Sequence, residues 1–171
     1  FMDATDFNQP IGSWDVSGLT QMQQVFDGAT AFNQTINAWD VSNVTSMNYT
    51  FHAAANFNQP LNSWDVSNVT NMDHLFADAV DFNQPLNNWV LHDAGYTHYM
   101  FDGATSFDAT LNGMNVAGKT DFSFMLDGAS AFNQPINLWN MASATTLERL
   151  FGDATAFNQD ISGWNVASVT T

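Results

Sequence analysis

Four histidines and a row of evenly spaced aspartates are the residues chemistry would use first. His52, His74, His92 and His98 carry the side chain that titrates near neutral pH, ligates zinc and relays protons. Their spacing fits none of those tasks. The chain has no HExxH pair, no cysteine, no GxSxG and no phosphate loop. Asp15, Asp40 and Asp65 recur at one interval. If that interval stacks, like charges stand about 5 Å apart and repel unless water or a cation intervenes. Calcium, which takes several carboxylate and carbonyl oxygens, is the one metal such a row admits. The row then lapses into Val90, Asn115, Asn140 and Asn165. Asparagine keeps the hydrogen-bonding oxygen and loses the charge, so a turn-capping role accounts for more of the row than a cation does. Carboxylates can be paired in many ways and no pair is special. The expectation is a protein that is not an enzyme and needs no cofactor, with weak calcium candidates at Asp15, Asp40 and Asp65.

Charge narrows the partners. Seventeen acidic residues face only Lys119 and Arg149, for a net charge of −15. Phosphate backbones and anionic membranes are bound by lysine and arginine displacing counterions, so nucleic acid is excluded as a partner. No apolar run reaches the roughly 18–20 residues a membrane helix needs, so this segment does not insert into a bilayer. No signal peptide is visible, and the chain opens in mid-pattern at Phe1. It reads as a single repeat array over residues 1–171, a fragment of a longer one.

The elements that must position these side chains follow from a 25-residue period without insertion or deletion. Phe7, Phe32, Phe57, Phe82, Phe107, Phe132 and Phe157 mark it. Tryptophan recurs at 14, 39, 64, 89, 139 and 164, with Met114 in the gap. Within a unit, Met22, Val25, Phe26 and Ala29 follow the i, i+3, i+4, i+7 spacing of a short amphipathic helix. Thr20 stands where an N-cap belongs, and Gly28, Gly103 and Gly128 where a helix would end. Trp14-Asp15-Val16 alternates like a very short strand, and Pro10, Pro60, Pro85 and Pro135 stiffen the corner between. One unit cannot bury its apolar side alone, so units must stack. The expected fold is α/β: a solenoid of about seven coils, each a short helix, a corner and a strand in a parallel sheet.

Asn8, Asn33, Asn58, Asn83, Asn133 and Asn158 recur beside the phenylalanines, with Asp108 in the fifth unit. An amide repeated in every coil can donate to one neighbour and accept from the other, so these residues are expected to form a buried structural ladder. N-x-[ST] sequons start at Asn33, Asn43, Asn48 and Asn68. Asn33 belongs to the ladder; Asn43, Asn48 and Asn68 are the glycan acceptors if the source is eukaryotic. The pattern is least regular over residues 89–125, where His92, Tyr96, His98, Tyr99 and Lys119 collect. Aromatic and basic groups on an acidic rod form a candidate contact patch.

The string FNQPLNSWDVSNVTNM at 57–72, followed by FNQPL at 82–86, resembles the short 25-residue form of the BspA-like leucine-rich-repeat surface proteins, common in mycoplasma lipoproteins. The resemblance covers all seven units. It implies a right-handed leucine-rich-repeat solenoid on the cell surface or outside the cell, with a protein or glycan partner on a surface or matrix. It carries no catalytic residues. Two functions remain open: an adhesive or ligand-binding scaffold, whose mark is one polar and varied face, and a filament segment that self-associates end to end.

Overall fold

The structure, a computed structural model, describes residues 1–91 and 95–171. The chain winds in 25-residue coils, and each coil lies directly on the next. Backbone N–H groups show how. Met22, Gln24, Phe26 and Gly28 donate to the carbonyls of Ser46, Asn48, Thr50 and His52 in the following coil, at 2.9–3.1 Å. The residues between them turn back on their own coil: Val25, Asp27 and Ala29 donate to Met22, Gln24 and Phe26. Alternate amides therefore satisfy the stack and the local turn, so that backbone donors are accounted for without a helix.

This corrects the expected α/β leucine-rich-repeat solenoid. Among the described residues there is no helix and no extended strand. The apolar spacing of Met22, Val25, Phe26 and Ala29 is real, but Gln24 has φ 56° and Gly28 φ 67°. A right-handed helix needs negative φ at every residue. Positive φ at the third residue of the turns 22–25 and 26–29 is what a type II turn requires. Both positions recur, as Tyr49 and Ala53, His74 and Asp78, Tyr99 and Gly103, Phe124 and Gly128, Arg149 and Asp153. Most are not glycine, at a cost of roughly 1–2 kcal/mol each. Cross-coil hydrogen bonds on both sides hold them there. The recurrent threonine is likewise no N-cap: Thr45 Oγ1 donates to the Thr20 carbonyl one coil back.

The strand expected at Trp14-Asp15-Val16 is also absent. Parallel pairing is limited to isolated bridges: Gln21 with Ser46, Ser46 with Asn71, Asn71 with Tyr96, Asp121 with Thr146, and Val90 with Asn115. Among the described residues no sheet runs along the stack.

Two columns of aromatic rings fill the core. Phe32, Phe57, Phe82, Phe107 and Phe132 are fully buried and stack on one another at 5.8–6.0 Å between ring centres. Phe26, Phe51, Phe76 and Phe101 form a second column at 5.5 Å. Within each coil the two columns touch, at 4.0–4.3 Å. The tryptophans close a third side. Each buried indole N–H donates to a carbonyl 28 residues earlier, as Trp39 does to Ile11, Trp64 to Ile36 and Trp89 to Leu61. Bulk and a satisfied N–H explain why tryptophan is kept there.

Candidate functional site

Asparagine at the corner couples one coil to the next. Asn8, Asn33, Asn58, Asn83 and Asn133 each accept the backbone N–H of the residue 25 later through Oδ1, at 2.9–3.0 Å. Gln34, Gln59, Gln84 and Gln159 add an amide donor to the same oxygens. The ladder runs along the surface instead of the interior: Asn8, Asn83 and Asn158 are exposed and Asn33, Asn58 and Asn133 half-buried. Only the oxygen is needed, which is why Asp108 substitutes, accepting from Asn133 N–H at 2.8 Å. Replacing Asn58 by alanine leaves Asn83 N–H unpaired and takes from Gln84 one of its two acceptors on Asn58, at a cost of about 1 kcal/mol, whereas Asn58→Asp should be close to neutral, a contrast that urea melts resolve.

A second amide ladder went unread in the sequence. Asn62 accepts Asn88 N–H, Asn87 accepts Gly113 N–H and Asn112 accepts Leu138 N–H, at 2.9–3.0 Å. The signal was plain: asparagine stands at 37, 62, 87, 112 and 137.

Asp15, Asp40 and Asp65 are exposed, and each accepts from the hydroxyl and N–H of its own serine at i+2, at 2.6–3.1 Å. Those serine bonds hold all three carboxyls below the usual carboxylate range. Asn115, Asn140 and Asn165 make the same bond to the N–H at i+2. Among the described residues no three histidine, aspartate or glutamate side chains converge on a point that could hold a metal ion.

The patch proposed around residues 92–99 is rearranged. His92 lies outside the described residues. Tyr96 is 57% exposed, and His98 and Tyr99 are half-buried. Lys119, expected on the surface, is 1% exposed. It occupies the register of Val44, Val69 and Ala144, all core residues. Its ammonium donates to the Gly95 carbonyl. Burial is the main cause that lowers its pKa to about 8, against the pull of Asp121 and Asp73.

These residues share a face with the other left-handed positions. Tyr49, His74, Tyr99 and Phe124 stack at 4.4–4.7 Å as a half-buried aromatic ladder. Beside it, His98 joins flanking coils: Nδ1 meets Asp73 at 3.1 Å and Nε2 meets Asp121 at 2.9 Å. Burial alone would raise Asp121, but the bonds from His98 and Ser123 leave it below the ordinary value. Lower on the same side, His52 meets Asp27 at 2.7 Å, and Arg149 clamps Asp127 with two bonds and Asp153 with a third. Asp102 has no basic partner among the described residues; burial first, then Asp127 and Asp78, push it up.

His74 sits inside the aromatic ladder with Nδ1 buried and unpartnered. Burial pushes its pKa below the usual histidine value. A base depressed in the folded state leaves the unfolded chain to take up the proton first, so stability falls as pH drops through about 6.5. His74→Phe continues the ring stack, removes the orphan nitrogen and should stabilise by about 1 kcal/mol at neutral pH. Below pH 6.5 the gap between the variant's melting temperature and that of the parent should widen.

Of the sequon asparagines, Asn43 and Asn68 are exposed but donate through Nδ2 to Ser17 and Ser42 carbonyls. Asn48 is half-buried and accepts from Ser46.

Comparison with known proteins gives a family and no function. No curated protein and no solved structure matches the chain. The model of a family described as "Mycoplasma protein of unknown function, DUF285" matches residues 1–113 and again 94–171, covering every coil. The resemblance drawn from FNQPL and WDVSNVT therefore holds as a mycoplasma-type repeat and not as a BspA-like leucine-rich repeat. Each coil falls within one or both matches, and the chain belongs to this DUF285 family of mycoplasma proteins.

Proposed function

We propose that the chain is a non-catalytic repeat scaffold, displayed at the cell surface, that binds a protein or glycan partner through one face. One observation carries the reading. The phenylalanine and tryptophan registers of the core keep their residue type in nearly every coil, whereas one side varies at every step. The register of residue 21 reads Gln21, Ser46, Asn71, Tyr96, Asp121, Thr146; that of residue 24 reads Gln24, Tyr49, His74, Tyr99, Phe124, Arg149. Those side chains are half-buried or exposed for the most part. Divergence at every step along one face of a stack held by recurring rungs is what a ligand surface leaves, and aromatic residues there supply contact area at low entropic cost. Neither catalysis nor a cofactor enters this reading. The test is binding of immobilised protein to a panel of matrix glycoproteins and free glycans. Tyr96→Ala should lower affinity at least tenfold for any binder found, and Gln159→Ala, on the amide ladder, should leave it unchanged. Equal losses from both, or no binder in the panel, would sink the reading.

A second reading, end-to-end assembly into a filament, has its own observation. Leu147, Leu150, Phe151, Ile161, Trp164 and Val166 line an open cleft of about 560 Å³ on the last coil. The same registers are buried at internal junctions, so this face fits another coil of the same repeat, whether the next of a longer chain or one from a second molecule. Sedimentation that rises with concentration, and falls back in Trp164→Asp, would favour it.

A further inference from the structure

Successive coils are joined by a regular set of backbone bonds, and one junction lacks most of them. Between the coils of Met72 and Tyr96 the donors are Tyr96 to Thr70, Met72 to Tyr96, His74 to His98, Phe76 to Met100 and Asp78 to Asp102. The junction two coils further on repeats the pattern: Thr145 to Thr120, Phe122 to Thr146, Phe124 to Glu148, Leu126 to Leu150 and Gly128 to Gly152. Between them, only Phe101 to Met125 and Gly103 to Asp127 remain. Thr97 and Tyr99 N–H find no acceptor across the gap, and the bridge that would pair Tyr96 with Asp121 is missing from its series.

Other couplings fail in the half-turn that leads into this junction. Met114 has no indole N–H to donate, and Ala109 replaces the glutamine that reinforces the asparagine ladder. The second phenylalanine column breaks from Phe101 to Leu126. Inside, Thr97 stands in the register of Met47 and Met72, with Oγ1 buried and unpartnered. Lys119, the chain's one lysine, threads into the apolar interior to reach the Gly95 carbonyl. What else crosses the gap is the bond from His98 to Asp121 and the Tyr99–Phe124 stack, while on the opposite edge Val90 bridges Asn115, with Leu91 N–H donating to Asn115 and Asn115 N–H to Trp89.

We propose that this junction is an opening seam: the coils ending at Gly103 and those beginning at Thr120 are two blocks that part on the varied face and close with Lys119 drawn inside. Local opening is governed by the bonds that hold a junction, and this one retains two of the five its neighbours make. The Tyr99–Phe124 stack and the His98–Asp121 bond act as the latch. Opening exposes free backbone donors on Thr97 and Tyr99 and the single lysine amine.

The lysine makes the seam measurable. Native-state hydrogen exchange should show Phe101 and Gly103 amides at least tenfold less protected than their equivalents Phe76 and Asp78 below and Leu126 and Gly128 above. Lys119 should acylate with an amine-reactive ester in native buffer, at a rate that tracks Phe101 exchange. Leu126→Phe restores the ring stack to Phe101 across the gap and should slow both processes about tenfold. Equal protection at all three junctions, or acylation of Lys119 only under conditions that unfold the whole chain, overturns the proposal.

Discussion

Phe57→Ala lowers stability by about 4 kcal/mol, since a buried phenylalanine cut to alanine loses its transfer energy and leaves a cavity that closes only in part. Phe57 is the case with the least room to relax. Its ring lies between Phe32 at 5.8 Å and Phe82 at 6.0 Å, and against Phe51 at 4.2 Å in its own coil. Coils above and below are fixed by backbone bonds, so neighbouring rings cannot slide in. For a chain of this size the melting temperature should fall on the order of 10 °C. The loss should also be local in reach, because each coil touches only its neighbours. Exchange should quicken most in the coils of Phe32 and Phe82. Phe57→Leu should cost less than half as much, as Leu126 already stands in for phenylalanine in the neighbouring column. A Phe57→Ala protein melting within 2 °C of its parent would mean that the ring column is not what holds the coils together.

The repeat and its core were legible in the residues; the local backbone was not. Phenylalanine, tryptophan and asparagine recurring at fixed intervals identify the registers that stack, whatever conformation joins them. The helix inferred from Met22, Val25, Phe26 and Ala29 failed for a specific reason. Two successive tight turns with left-handed Gln24 and Gly28 bring positions i, i+3, i+4 and i+7 to one side as a helix would. Spacing alone does not separate the two. A hint lay in the second left-handed register, where Gly28, Gly103 and Gly128 alternate with Asp3, Asp78 and Asp153, residues that tolerate positive φ. Reading those glycines as helix ends fitted their φ and mistook their context. The candidate face was partly visible, since Tyr96, His98 and Tyr99 interrupt the pattern. What could not be read was which side of the coil each register faces. That depends on the turn geometry, and it placed Lys119 inside while Tyr49 and His74 joined Tyr99 outside.

A varied face and a weakened junction in the same coils have one physical origin. Residues that leave the consensus on the outside, Tyr96, His98 and Tyr99, sit above others that leave it on the inside, Thr97, Met114 and Lys119. The Gly95 carbonyl, in the register of Thr45 and Thr70, takes the ammonium in place of a ladder amide. The substitutions are interlocked, so a single reversion inside is informative only if it suits the space that the others leave.

Lys119→Met, an apolar side chain of matching length, meets that condition, and it should raise stability at pH 7 by about 2 kcal/mol. Lysine titrates near 10.5 when unfolded and at about 8 here, chiefly because burial disfavours the charge. A base depressed in the folded state binds fewer protons than the unfolded chain between those values. Stability of the parent therefore climbs as pH rises from 8 to 10.5, and below 8 the full penalty of about 3 kcal/mol applies. Methionine has nearly the same length, fills the same channel and carries no charge to desolvate. It leaves the Gly95 carbonyl without its donor, which subtracts about 1 kcal/mol at most, because that position is half-buried and open to water. Thermal melts of the two proteins from pH 7 to 10.5 decide the matter. The variant should start several degrees higher and show a flat profile, while the parent gains on it steadily above pH 8. Parallel profiles would place the amine in water and not in the core. A variant that is less stable at every pH would mean that the bond to Gly95, and not the burial of charge, dominates at this position.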